Sequence, residues 1–174
     1  VLICKGAVES IFSVCDRYQI DEDVFPMIDI IKSDLREEFA SLSSDGYRVL
    51  ALAYREFPKD REVFSSADET GLILLGYVAF FDPPKDTAAT ALKALGEAGV
   101  SVKILTGDNE LVTQKICRDV GLEITSVVTE HDLEGLDRKA CWELVGQATV
   151  VARLPPAQKE ASSQALRDGG RGRA

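Results

Sequence analysis

The sequence predicts an α/β chain whose second half forms a parallel sheet with helices on its faces. Three observations carry this. From Leu72 onward, strand-like and helix-like segments alternate with short connections, the pattern of βα units. Leu72 to Phe81 (LILLGYVAFF) is an unbroken apolar run, too short to cross a bilayer and suited to a central strand buried on both faces. The helical segments after it close on glycines, Gly99 and Gly121, as helix C-termini prefer. Residues 1–81 alternate less regularly. Asp82-Pro83-Pro84 separates the two textures, because paired prolines stiffen a crossing between units. We therefore divide the chain into residues 1–81 and 82–174.

In chain order, residues 1–5 read as a short strand running into Gly6. Residues 7–18 carry Val8, Ile11, Phe12 and Cys15 at helical spacing. Asp21-Glu22-Asp23 is a charged turn. Residues 28–42 form an amphipathic helix through Ile28, Ile31, Leu35, Phe39 and Leu42, and Ser43-Ser44-Asp45-Gly46 ends it. Residues 47–57 are rich in strand formers, and residues 58–70 are charged with no apolar period. Beyond the prolines the pattern predicts helices over 87–98, 109–120, 138–148 and 157–166. It predicts strands over 100–105, 127–128 and 149–152.

Composition narrows the function. With 45% hydrophobic and 28% charged residues, 13 Gly and 6 Pro, the chain is neither collagen-like nor of low complexity. Twenty basic against 29 acidic residues give a net charge of −9, which argues against general nucleic-acid binding. No run reaches the ~18 apolar residues of a membrane span, and the opening residues show no signal-peptide order of regions. Cys4, Cys15, Cys117 and Cys141 are scattered without a CxxC pair, so four reduced thiols are expected. The single histidine, His131, lies in a polar stretch, and no metal site is assigned.

The strongest chemical signal is Ile104-Leu105-Thr106-Gly107-Asp108-Asn109: a strand ends, Thr-Gly-Asp follows, and a helix begins. Ligands of open α/β sheets bind at the carboxyl ends of strands. A hydroxyl, the bare backbone of Gly107 and the amides of the next helix together suit an anion, with Thr106 on a phosphate oxygen. Asp108 would then face a ribose hydroxyl or a hydrated cation. The alternative is a helix cap, with Asp108 or Asn109 satisfying free amides. Asp82, at the end of the apolar run, and Lys159, in the last helix, are weak signals singly, as are Lys5 and Arg48.

Together they are not weak. Lys5-Gly6-Ala7, Gly46-Tyr47-Arg48, Asp82-Pro83-Pro84-Lys85, Thr106-Gly107-Asp108-Asn109 and Ala152-Arg153 through Lys159 occur in one order. That set resembles the cytoplasmic region of P-type cation-transporting ATPases, over residues 1 to about 168. Residues 76–122 look most like the bacterial magnesium-transporting branch. Pro155 stands where that branch commonly has Thr, and Val8 where many relatives have Pro.

The resemblance implies that residues 1–81 are the C-terminal part of an α+β nucleotide-binding domain. Residues 82–174 would be a partial haloacid-dehalogenase-like phosphorylation domain with a doubly wound parallel sheet. It implies ATP as partner, with Lys5 lining the adenine pocket, Arg48 reaching the phosphates and Asp82 holding the ribose. Thr106 would bind the transferred phosphoryl group beside Gly107, with Asp108 near the nucleotide, Arg153 approaching it and Lys159 stabilising the phosphoryl in transfer. The chemistry implied is in-line transfer of the γ-phosphoryl to an aspartate, then hydrolysis, with Mg2+ neutralising charge. Asp-Lys-Thr-Gly-Thr and Gly-Asp-Gly-x-Asn-Asp, which would supply the nucleophile and the magnesium ligands, do not occur in the 174 residues. The expectation is therefore a piece of a longer pump, inactive alone, at the cytoplasmic face of a membrane and docked to the pump's other domains. The polar end Asp168–Ala174 suggests a truncated or frameshifted frame. Residues 82–168 are expected to be better ordered than residues 1–60. Alternatives are a non-catalytic nucleotide-binding module, an interaction domain, and a phosphatase of the same fold. The last needs Asp-x-Asp or Asp-x-Thr at a strand end, which the predicted strands lack.

Overall fold

The structure, a computed structural model, describes residues 1–156, 158–160 and 162–163. Packing divides the chain into two compact units: Val1–Ser43 with Tyr47–Phe81, and Ser44–Gly46 with the residues from Asp82 onward.

The first unit contains β1 (Leu2–Gly6), α1 (Val8–Val14), β2 (Cys15–Ile20), β3 (Asp23–Pro26), α2 (Asp29–Ser44), β4 (Tyr47–Arg55) and β5 (Leu72–Phe81). The strands form one sheet in the order β1-β4-β5-β2-β3, antiparallel except for β2 against β5. One face is the core. Val8, Ile11 and Phe12 of α1 pack there on Ala51, Ala53, Leu72 and Leu74, joined by Ile31, Leu35 and Phe39 of α2. The Tyr77 hydroxyl donates to the Leu35 carbonyl at 2.7 Å, tying β5 to α2. Burial, reinforced by the Glu38 carboxylate, pushes that phenol up.

Three sequence expectations change here. The helix predicted over 7–18 stops at Val14. Cys15 keeps its buried place, 5% exposed, but as the first residue of β2. Asp21, in the left-handed region at φ 53°, then turns the chain into β3, a hairpin read from sequence only as a charged turn. The long apolar strand is buried only over Leu72, Ile73 and Leu74, whereas Phe80 and Phe81 are 51% and 64% exposed. The reason is that β2 pairs with β5 only as far as Leu74, leaving the rest with β4 alone as neighbour. β5 therefore belongs to the mixed sheet and not to a parallel one.

The second unit contains α3 (Ala88–Glu97), β6 (Ile104–Leu105), α4 (Glu110–Asp119), β7 (Val127–Thr129), α5 (Glu130–Leu133), α6 (Arg138–Gln147) and β8 (Val150–Ala152). Its strands are parallel, in the order β6-β8-β7. The middle strand β8 is buried on both faces. Val151 packs with Val145 of α6, Ala148, Val128 and Leu154. Val150 and Ala152 pack with Cys117 of α4. The sheet therefore carries helices on both faces, the α/β arrangement the alternation predicts. β6 is shorter than the predicted strand over 100–105, and Val100 is half exposed. Residues 158–160 and 162–163 are helical, and the remainder of the helix predicted over 157–166 lies outside the described residues.

Candidate functional site

Parallel pairing sets the carboxyl ends of β6 and β8 side by side, and the two following loops lock together. The Thr106 amide donates to the Val151 carbonyl at 3.0 Å. The Leu154 amide donates back to the Thr106 carbonyl, also at 3.0 Å. Within the first loop the Thr106 hydroxyl accepts from the Asp108 amide at 3.0 Å and donates to its carboxylate at 3.1 Å. Gly107 lies so close to the second loop that a Cβ there would meet the Leu154 carbonyl oxygen at 3.3 Å. A side chain here would press on that carbonyl, so glycine eases the close approach of the two loops.

The sequence left open whether Asp108 or Asn109 caps the next helix. The cap is Asn109, whose side-chain oxygen accepts from the Leu111 amide at 2.7 Å. Asp108 is engaged with Thr106, on the loop itself.

Arg153 follows β8 with φ at 58°, an uncommon conformation for a side chain of that size. Its amide donates to the Asp108 carbonyl at 3.0 Å, which holds the turn. Its guanidinium reaches the first turn of α4 and grips Glu110 at two points: Nη2 to Oε1 at 3.2 Å, and Nε to Oε2. Burial acts to raise the Glu110 carboxyl, but the Arg153 guanidinium, together with Glu110's own amide, outweighs it and holds the carboxyl below its usual range. Sequence reading did not find Glu110, because its partner lies 43 residues away. It also missed Lys103. That ammonium donates to the Gly146 and Ala148 carbonyls, the latter at 2.7 Å, fastening the end of α6 beside β8.

Thr106, Gly107, Asp108 and Arg153 thus meet at one pair of loops. Lys159 is exposed on the helical turn after Pro155-Pro156, where its amide bonds the Pro155 carbonyl at 2.9 Å. Asp82 is exposed directly after β5. In the first unit, Lys5 pairs with Leu52, and Leu52 with Gly76; Arg48 pairs with Phe80. Cross-strand partners share a face, and residues i and i+4 of one strand do too. Lys5 and Arg48 therefore stand on the same face, opposite α1 and α2, about 13 Å apart along the strand direction. Leu52 and Leu50 lie on the same face on the way from Lys5 to Arg48, and Val78 stands beside Leu50 on the far side of β4. The structure also revises one reading. Asp21-Glu22-Asp23 does follow a strand, but it turns an antiparallel hairpin at the sheet edge and leads into no helix.

Comparison with known proteins gives these loops a context. The family model described as P-type ATPase, cytoplasmic domain N, matches residues 1–87. The chain belongs to the P-type ATPase family. Within it, the chain is 43% identical over 159 residues to a magnesium-transporting ATPase, P-type 1, of Salmonella typhimurium strain LT2. That alignment covers 91% of the chain and 18% of the relative. The same figures hold for the corresponding protein of Escherichia coli K12. A calcium-transporting ATPase of Listeria monocytogenes is 28% identical over 160 residues, covering 91% of the chain and 18% of that protein. The chain thus spans less than a fifth of the length of these P-type ATPases. No helix among the described residues is long and apolar enough to cross a membrane.

Proposed function

We propose that these residues are part of the cytoplasmic head of an ATP-driven, magnesium-transporting pump. Residues 1–81 act as the C-terminal part of its nucleotide-binding domain, and the residues from Asp82 on as part of its haloacid-dehalogenase-like phosphorylation domain. The observation that carries the reading is the 43% identity to magnesium-transporting ATPases over 91% of the chain, beside a family match to domain N over residues 1–87.

The placement of the side chains supports a nucleotide. Lys5 and Arg48 are exposed cations on one sheet face, with the apolar Leu50 and Leu52 between them and Val78 alongside. Such a floor suits a flat base with phosphates at one end. On this reading Lys5 lines the adenine pocket, Arg48 holds the phosphates and Asp82 binds the ribose. In the second unit the Thr106 hydroxyl turns from Asp108 to a phosphoryl oxygen, and the Gly107 backbone admits that oxygen closely. Asp108 lies near the nucleotide, and Lys159 supplies positive charge as phosphoryl leaves ATP. The acceptor is an aspartate outside these residues, giving an aspartyl-phosphate that water later hydrolyses. Magnesium neutralises phosphate charge when bound. No cluster of three or more His, Cys, Asp or Glu among the described residues is placed to hold it, so we keep it with the nucleotide. Without Asp-Lys-Thr-Gly-Thr, turnover is not expected of these 174 residues alone.

Titration of the chain with Mg-ATP tests the reading. Native protein should bind weakly, and Arg48→Ala roughly tenfold more weakly still, the scale of one lost charged hydrogen bond. Equal affinity would remove Arg48 from the site.

A further inference from the structure

The loop that would take phosphate carries two carboxylates, Asp108 and Glu110. An anion attracted to the N-terminus of α4 meets Glu110 in its first turn. A carboxylate there competes for the same field and repels a phosphate. Against it stands Arg153, delivered from the loop after the neighbouring strand in a left-handed conformation that a side chain of its size rarely adopts. Such strain persists where the surroundings fix it, and here the Arg153–Asp108 backbone bond does so. The side chain so delivered grips Glu110 at two points.

We propose that Arg153 serves the Thr106–Gly107 loop through Glu110. It cancels that carboxylate at the first turn of α4, so that the loop accepts a phosphate group, and it does not itself need to touch the nucleotide. Arg153 is then a positioning and charge-masking residue. The inference rests on the reading that this loop takes phosphate.

The test is a binding series on the full chain with AMP, ADP and ATP, each with magnesium, at low salt. The proteins are native, Glu110→Gln, Arg153→Gly and the double variant. Glycine is chosen at 153 because it removes the side chain without the backbone penalty. Arg153→Gly should lose roughly tenfold in ATP affinity, with smaller losses for ADP and AMP, because an unmasked charge acts in proportion to the ligand's charge. The loss should shrink at high salt. The double variant should return to within about twofold of native, and Glu110→Gln alone should bind ATP at least as tightly as native. A double variant as weak as Arg153→Gly would mean direct contact with the nucleotide and would overturn the inference alone. So would equal losses for AMP and ATP, or weakened binding by Glu110→Gln, since both mark a merely structural role. If native chain binds none of the three, the reading of the loop falls first and takes the inference with it.

Discussion

The two sheets of this chain solve the same problem at different scales. In the first unit, β4 and β5 pair over eight registered positions, and α1, β4 and β5 share one continuous core. In the second, β6, β8 and β7 pair over two or three residues, and the core is split into two clusters on either face of β8. The long ladder holds itself by extended burial on one face, leaving the other open with Lys5 and Arg48 on it. The short ladder depends on its loops: the hydrogen bonds joining Thr106, Val151, Asp108, Arg153 and Leu154 continue the pairing past the strands. The lesson is that in the second unit the candidate site is also part of the structure. Changes there will mix stability with binding, whereas changes to the open face of the first unit will not.

The largest test of this contrast is the core of the first unit. Leu72 is fully buried among α1, β4 and β5. Leu72→Ala should cost about 2–5 kcal/mol, read by denaturant unfolding, through lost transfer energy and the cavity left behind. Hydrogen exchange in native protein should show the amides of β4 and β5 as the slowest of the chain. That order is the opposite of the sequence expectation that residues 82–168 are better ordered than 1–60, and the eight paired positions of β4 and β5 are the reason for it. Faster exchange in β4 than in β8 would restore it.

Charge sharpens the contrast next. Burial of the Cys15 thiol, with the Asp16 carboxylate and Cys4 adding to it and Lys32 opposing, pushes its pKa from 9.0 up to about 11. Below pH 9 the folded and unfolded chains both hold the proton, so the thiol is neutral to stability. Between pH 9 and 11 the unfolded chain has released a proton the folded chain keeps. Stability therefore falls as pH rises, by at most about 1.4 kcal/mol per pH unit. Comparing the pH dependence of native protein with that of Cys15→Ala isolates this group. Parallel curves from pH 8 to 11 would contradict the burial described.

How much of this was legible in sequence follows from which interactions are local. α2, α4 and α6 are read from periodic apolar residues, and the bounds of β5 from one apolar run, because those signals lie within each segment. The switch from α1 to β2 was hidden because Cys15 satisfies helical spacing and strand burial alike. The limited burial of β5 was hidden because it depends on where β2 stops. At the candidate site, Thr-Gly-Asp announces itself as strand, turn and helix. Glu110 and Lys103 do not, since each acquires meaning only from a partner more than 40 residues away.

Lys103 is the next test in size. It exchanges water for the last carbonyls of α6, at a site where burial lowers its pKa. Lys103→Met keeps the stem and removes the donors. The expected cost is about 1–2 kcal/mol, the price of carbonyls left without a partner. The readout is faster exchange at the amides of α6 with little change in β4. Equal acceleration in both would tie Lys103 to the whole chain.

The smallest effects come from one glycine in each unit, favoured for opposite reasons. Gly76 sits at a register shift in β5 with φ at 140°, and a Cβ there would meet nothing within 4 Å. Gly107 is not among the positive-φ glycines, but its Cβ would press on the Leu154 carbonyl at 3.3 Å. Gly76→Ala is therefore opposed by backbone conformation, and Gly107→Ala by contact. Each should cost about 1 kcal/mol, one from an unfavourable φ and the other from mild overpacking. The two can be told apart by where the disturbance appears. Gly107→Ala should loosen the loop-to-loop bonds, so that the amides of Arg153 and Leu154 exchange faster, because the carbonyl that must move lies on their loop. Gly76→Ala should speed exchange along β5 and leave those two amides alone. A Gly107→Ala protein with unchanged exchange at Leu154 would mean that the two loops yield freely, and the claim that the site is built into the short sheet would fail with it.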